Sequence, residues 1–589
     1  MDSIIRTIDI SIQELYPDIL LPTVTLCKPP KWNNGDYCFN IGTIGRLAGK
    51  NTREVGATIQ QSLEKFPETF HLVENIGIYI NLCLQDKAFL YLLEDSINIK
   101  KTPQEQGRII IDYIGVNIGK PLHIGHICTP SIGQVFCNIY RQQGFDVIWD
   151  VHTGDWGGIF GRLIAGWKKW GSETEFQKDP VNHLLSLYQK ISAEIEPESW
   201  EKNEMIDQEC REEFKKLSEW DPKNIRLWSR FTKESLENMQ KTIKLLHVHP
   251  DVAIGESFYE WLSLPKFWEY PDLSFTMKDV TQELIELWIA HKNMDGSVSI
   301  QFPEDSKLPS NIIQKKDGTH GYFASDLASI KYRVTNGWDP KKVIYCTDMR
   351  QQLHFQQVFA VARRAWWVSD DIQLIHAPNW FISLPEWAMS TRKWNIIRLD
   401  DLIEEAFVRT RTILEEKGRI WDKSLTESNI REIAIWAIKY SYLMQDREKN
   451  IVFDWNKALS FEGNSGPYIQ YAFVRGKKLL ATMDDSLKMN PSWAGIDYVL
   501  SEYDKKLIQC LIWCDNAIAE VLIRHKPHTL TSYAYGLAGV FNSFYAHTPS
   551  IIHEENIDLK IVRTHLIKTF VLRLEEVWNL LGMKMPTEM

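Results

Sequence analysis

Glycine is scarce in this chain. The 589 residues include 31, where average usage of ~7% would give about 41. Tryptophan is in surplus by a similar amount: 23 Trp stand beside 25 Phe and 21 Tyr. Metal-site cysteine spacing is missing too. The nine cysteines contain no CxxC, and Cys510 and Cys514 have no second pair or nearby histidine pair. That argues against a structural zinc and for reduced, buried thiols in a cytoplasmic protein. No apolar run approaches the ~18 residues that span a bilayer. The opening MDSIIRTIDISIQELYPDIL lacks the basic start and unbroken apolar block of a signal peptide. A net charge of −10 argues against a generally basic nucleic-acid coat, but not against a local basic surface.

What is present is ordinary globular material: 44% hydrophobic and 24% charged residues, with length for three or four domains. Residues 1–100 read as a small α/β unit, with EVGATIQQSLEKF at helical spacing and IGIYINLCL alternating like a strand. TPQEQG, 102–107, is a linker. GRIIIDYI, 107–114, reads as a strand, HIGHICTPSIGQVFCNIYRQQG as a helix closed by Gly144, and FDVIWDVH, 145–152, as the next strand. That βαβ unit opens a doubly wound parallel sheet, so the fold class is α/β. Residues from about 165 to 300 read as helical insertions, and KVIYCTD, 342–348, returns to a buried strand. From about 400 the pattern is almost wholly helical, which predicts a C-terminal all-α bundle. The expected modules are 1–100, a core of 101–400, a connection over 401–455 and the bundle over 456–589.

The strongest chemical signal is NIGKPLHIGH, 117–126, between a strand and a helix. His123 and His126 can reach toward one phosphate chain, and Gly125 leaves room for a flat base. The following helix offers free N–H groups and its positive end to anionic oxygens, with Lys120 a further cation. A zinc pair would need a third ligand, and none stands out. A second cluster, MSTRK at 389–393, packs Ser, Thr, Arg and Lys before the acidic run LDDLIEEA.

HIGH followed far downstream by MSTRK resembles the paired signatures of class I aminoacyl-tRNA synthetases. IDYIGVNIGKPLHIGH, HTGDWGGIFGRLIAGWKKWG, HGYFASDLA, TDMRQQLHFQQVFAVARRA, VFDWNKALSFEGNSGPYIQYA and FNSFYAH resemble the arginyl-tRNA synthetase family, in order and over nearly the whole chain. The resemblance implies a Rossmann-like core, an N-terminal domain contacting tRNA and an anticodon-binding bundle. It implies a monomer in the cytoplasm that uses L-arginine, ATP with Mg²⁺, and tRNA(Arg). By position, Lys120, His123 and His126 match the catalytic ATP contacts, joined by Ser390, Arg392 and Lys393 of the second signature. Gly125, Met389 and Ser390 match nucleotide-binding positions, and Asp112, Asn117, Tyr322, Asp326 and Gln351 the arginine pocket. A planar, permanently charged guanidinium calls for carboxylates and neutral acceptors in fixed geometry, and Tyr322 and Asp326 share one helical face. Gly154 and Gly157 of HTGDWGG allow a tight approach to the site floor. Another class I synthetase, or a catalytically impaired tRNA-binding paralogue, is the alternative.

The departures from the family pattern cluster on one residue type. Glycine is expected at or near Trp366, and at Trp387, Trp394, Trp436 and Trp578, with Trp380 similar; Ala388 stands where lysine is usual. Trp156 and Trp455 fit as tryptophans. Three explanations compete. Trp380, Trp387 and Trp394 are seven apart, as in a packing stripe, though Pro385 interrupts any single helix through them. The chain could be a degenerate, inactive relative in which Trp394 crowds the triphosphate. Or the codons are UGA, read as glycine in some genomes and written as Trp here. The third matches the glycine deficit and the tryptophan surplus in sign and size.

Overall fold

Ile109, Ile110 and Ile111 in succession make a strand with no solvent-facing side: all three are fully buried. This is β4, Arg108–Tyr113, the centre of a five-stranded sheet in a computed structural model. The structure describes residues 2–27, 29, 35–98, 106–196, 203–260, 271–380, 382–383, 398–416, 426–488, 498–548 and 551–586. These fold as two units. One comprises Met1–Lys101, Ile469–Ala519 and Ser532–Val577; the other comprises Thr102–Tyr468, Glu520–Thr531 and Trp578–Met589.

In the first unit, β1 (Tyr37–Asn40), β2 (Phe70–Ile76) and β3 (Tyr79–Leu84) form an antiparallel sheet with β3 central. Its helix Asp86–Asn98 packs on the helix Glu502–Ile512 from the far end of the sequence. Gln509 Nε2 donates to Asp36 Oδ1 at 3.1 Å, and Lys505 pairs with Asp86 at 2.7 Å. The N-terminal sheet and the C-terminal helices therefore share one compact body. Phe541 and Phe570 stack at 3.8 Å, tying the helices His528–His547 and Ile557–Leu580 together.

The second unit holds the parallel sheet. To β4 are added β5 (Asp146–Thr153), β6 (Val252–Gly255), β10 (Pro340–Cys346) and β11 (Gln373–His376), in the order β11-β10-β4-β5-β6. Ile110 lies opposite Val343 on one side and Ile148 on the other. Strands buried on both faces read as near-continuous apolar runs, which is why β4, β5 and β10 fall where the sequence places them. The helix Cys128–Gln142 crosses from β4 to β5. Between β6 and β10 lies a small antiparallel sheet of β7 (Ala290–Lys292), β8 (Val298–Ile300) and β9 (Asn311–Gln314). The stretch expected to be helical insertion thus contains a strand of the core: four residues, VAIG, are too short to show a period of their own. Every pairing in the five-stranded sheet is parallel, and the order of strand addition reverses at β4, whose neighbours are β5 and the much later β10. In such sheets ligands bind outside the carboxyl ends at that reversal.

Helix ends show a further pattern. After the helices Gly42–Leu47 and Cys128–Gln142, and after Ile557–Leu580, the chain turns through Gly49, Gly144 and Gly582, at φ 62°, 90° and 71°. Each donates its N–H three residues back while the next residue donates five back, as Gly144 to Arg141 O and Phe145 to Tyr140 O. This closure needs a left-handed residue, normally glycine. After Glu204–Ser218, Met277–Glu286 and Gln352–Arg364 the same two bonds form, but the left-handed residue is Trp220, Trp288 and Trp366, at φ 66°, 58° and 59°. His247 does the same after Pro222–Leu245, at φ 53°. A left-handed L-residue costs about 1–2 kcal/mol.

The other departures divide. Trp436 is fully buried against His247, ring centres 4.8 Å apart, and among the described residues its indole N–H has no partner. Trp578 is also buried, but stacks on Tyr440 at 5.5 Å and donates to Lys584 O at 3.1 Å. Trp380 is half-buried and lines the cavity described next. Trp387, Ala388 and Trp394 lie outside the described residues.

Candidate active site

A cavity of about 710 Å³ opens at the carboxyl ends of β4, β5 and β10. Its floor begins where Ile114, directly after β4, takes φ 71°. A β-branched residue there is a genuine outlier, and strain of this kind gathers at working sites. Beyond it, Gly154 N donates to Val116 O at 2.9 Å and Ile118 N to Gly154 O at 3.1 Å, pairing the loop with the end of β5. A Cβ on Gly154 would lie 2.3 Å from Asn117 Oδ1, so glycine there is what admits the Asn117 amide. Gly157, at φ 100°, begins the helix Gly158–Trp170.

The HIGH residues form a single short turn, Ile124–Ile127, ahead of the crossover helix. His123 Nδ1 accepts from Gly125 N at 3.1 Å, and His126 Nδ1 accepts from His123 N at 2.9 Å. The rings lie 3.8 Å apart. Burial, then the charges of Lys120 and Arg350, push the His123 imidazole down to about 4. Burial, then His123, pushes His126 well below the usual histidine range. Both rings are therefore neutral at pH 7. Because both Nδ1 atoms accept, the proton of each sits on Nε2, giving two fixed neutral donors on rings that line the cavity.

Opposite stand the polar residues expected to hold arginine. Asp112, Asn117, Tyr322, Asp326 and Gln351 all line the cavity, together with His123, Gly125 and His126. Tyr322 and Asp326 come from the first turns of the helix Tyr322–Thr335, as their spacing predicts. The two acids are not alike. Asp112 Oδ2 pairs at 2.8 Å with Arg333, a fully buried guanidinium that also binds Asp150 Oδ2 at 2.6 Å. Among the described residues, Asp326 pairs with no arginine or lysine. His354 Nε2 lies 2.6 Å from its Oδ2, and His152 Nε2 3.7 Å from its Oδ1. Burial raises the Asp326 carboxyl, but the His354 bond and the surrounding positive groups outweigh it and hold it below its ordinary value. Glu256, on the same cavity, is pushed well above the carboxylate range by burial and then by Asp326 and Asp155. Its surroundings favour the neutral acid, beside an Asp326 whose surroundings favour the carboxylate.

His354, His152, Glu256 and Arg333 were not among the expected site residues. His354 sits inside the quoted TDMRQQLHF, but its partner is 28 positions away in sequence; only the fold brings them together. Lys120 is placed otherwise than its neighbours: its Nζ lies over the Tyr188 ring at 4.1 Å, and it is not among the cavity-lining residues. Met389, Ser390, Arg392 and Lys393 lie outside the described residues. The two ends of that stretch do not. Ile382 lines the cavity, and Arg398 forms an antiparallel bridge with His123 while Leu399 N donates to Leu122 O at 2.9 Å. No group of three or more His, Cys, Asp or Glu among the described residues is gathered for a metal ion. Nor is any described helix long and apolar enough to cross a membrane.

Known proteins agree with this layout. Residues 90–455 match the family of class I tRNA synthetase (R) catalytic domains, and 469–589 match the DALR anticodon binding domain. The arginine–tRNA ligase of Fusobacterium nucleatum is 32% identical, over 98% of this chain and 97% of its own. That of Clostridium acetobutylicum is 31% identical, over 99% and 98%. The arginyl-tRNA synthetase structure from Thermus thermophilus superposes with a TM-score of 0.79 at 20% identity, covering 100% of both chains. The Plasmodium falciparum structure gives 0.77 at 21%, over 100% and 99%, so both share the fold. The chain belongs to the class I arginine–tRNA ligase family.

Proposed function

We propose that this cavity joins L-arginine to ATP and then passes the arginyl group to the terminal ribose of tRNA(Arg). Asp326 carries the reading: it is an ionised carboxylate facing the cavity, and among the described residues its close ion-pair partners are histidines alone. A substrate guanidinium supplies the missing cation as a planar fork, and Tyr322, Asn117 and Gln351 complete its rim. In the first step the arginine carboxylate attacks the α-phosphorus, the bond from that phosphorus to the α,β-bridging oxygen breaks, and pyrophosphate leaves. In the second a ribose hydroxyl attacks the acyl carbon and AMP leaves. Neither step needs a protein nucleophile. Catalysis is positioning and neutralisation of phosphate charge, for which the Nε2–H groups of His123 and His126 are set without a change of protonation. Arg350 adds a cation on the cavity wall.

We assign Met389, Ser390, Arg392 and Lys393 to the triphosphate, because both ends of their stretch meet the HIGH turn. Mg²⁺ enters as part of the nucleotide substrate. In the other unit, Arg475 lies 4.7 Å over Tyr471 and 4.9 Å over Tyr545, and Tyr503 stacks on His547 at 4.5 Å. These cation–aromatic groups suit splayed anticodon bases. The enzyme acts as a cytoplasmic monomer. The test is charging of purified tRNA(Arg) with labelled arginine, in the presence of tRNA throughout. Arginine is expected to be attached; attachment of a different amino acid, or tRNA binding with no attachment of any, would overturn the reading.

A further inference from the structure

Tryptophan serves this fold in two distinct ways. Trp149 stacks on Tyr113 at 4.0 Å, Trp228 Nε1 donates to Asp155 O at 2.8 Å, and Trp367 Nε1 donates to Glu283 Oε1 at 2.8 Å. These indoles are anchored. Trp220, Trp288 and Trp366 are not. They are 52%, 81% and 86% exposed, and among the described residues no ring, cation or side-chain hydrogen bond engages them. Yet all three stand at the one backbone position of a helix end that disfavours any Cβ. Their backbones do the work that Gly49, Gly144 and Gly582 do elsewhere, with the same two hydrogen bonds. The side chain makes none of these contacts, and the backbone favours hydrogen in its place.

We propose that residues 220, 288 and 366 are glycine in the protein its cell makes, inserted by a glycine tRNA that reads UGA. The chemistry is confined to decoding. UGA differs from the tryptophan codon UGG only at its third base, so a UGA written as tryptophan yields an indole wherever the cell places glycine. Each such site lowers the glycine total and raises the tryptophan total by one, the direction in which the composition departs from average. Trp436 is not assigned by this criterion: it is buried inside a helix and its ring packs on His247 at 4.8 Å. Trp149, Trp228 and Trp367, with stacked rings or donating indoles, are outside the set, and so is Trp578, which stacks and donates. The inference does not rest on the proposed function: Trp220 and Trp288 lie in the helical region and at the edge of the small sheet, remote in sequence from every signature residue.

Two measurements test it. In the native protein, peptides spanning residues 220, 288 and 366 are expected to be lighter by the difference between a tryptophan and a glycine residue, and those spanning 149, 228 and 367 to have tryptophan mass. Tryptophan mass at any of the first three overturns the proposal. The unmodified gene, expressed in a host that reads UGA as stop, is expected to give a product no longer than 219 residues. Full-length protein from that host overturns it equally.

Discussion

The floor and the wall of the cavity each carry a carboxylate, and the protein treats them in opposite ways. On the floor, Asp112 shares the buried guanidinium of Arg333 with Asp150. On the wall, Asp326 is left to two histidines. The contrast teaches where the substrate's charge belongs. An internal arginine has already satisfied the floor, so the wall is where a second guanidinium gains most. The same contrast separates groups that hold the pocket's shape from those that read its ligand.

Removing the internal cation should have the largest effect. Arg333→Met leaves two carboxylates buried without their partner, and stranding a buried charge costs about 3–5 kcal/mol. Urea unfolding of the variant should show that loss. Next comes the wall. Asp326→Asn should lower kcat/KM for arginine by about 10–150-fold, the worth of a hydrogen bond to a charged group, with the ATP KM little changed. Asp112→Asn, whose partner keeps Asp150, should raise the arginine KM less. If Asp112→Asn is the more damaging in arginine KM, the floor and wall have been assigned the wrong way round.

The HIGH turn adds a pH limb of similar size. His123 is held near 4 in the fold against an ordinary 6.5. Between these values the unfolded chain binds a proton that the folded one refuses, so stability falls as pH falls through that window and levels off below it. This group alone should remove about 2 kcal/mol between pH 7 and pH 5, readable as a lower urea midpoint and smaller in His123→Asn. His354 acts through Asp326. His354→Ala should raise the arginine KM about tenfold, roughly the value of one such bond, with kcat nearly kept and His354→Gln restoring much of the loss. The smallest effect is at the helix ends. Trp366→Gly should stabilise by about 1 kcal/mol with no change in charging, seen as a higher Tm.

Much of this was legible before the fold was known, and the reason differs by residue. β4, β5 and β10 announce themselves because strands buried on both faces need continuous β-branched and aromatic side chains. Asn117, Tyr322, Asp326 and Gln351 could be placed because each lies in a motif whose neighbours constrain it. Arg333 could not: its partner Asp150 is 183 positions away, and an arginine eleven positions past a tyrosine reads as a solvated helix face. Glu256 was hidden in the same way, since β6 is too short to declare the strand that delivers it. The tryptophans at 220 and 288 stayed silent for another reason. A left-handed helix end is a backbone property, and the usual sign of it, glycine, is the residue that is missing.

The central claim is that the wall carboxylate, Asp326, reads the charge of the substrate side chain. Citrulline keeps arginine's shape and loses its charge. Steady-state charging of tRNA(Arg) with each amino acid, by the parent enzyme and by Asp326→Asn, measures the claim directly. The account predicts a large preference for arginine in the parent that collapses in the variant. An equal preference in both enzymes would contradict it.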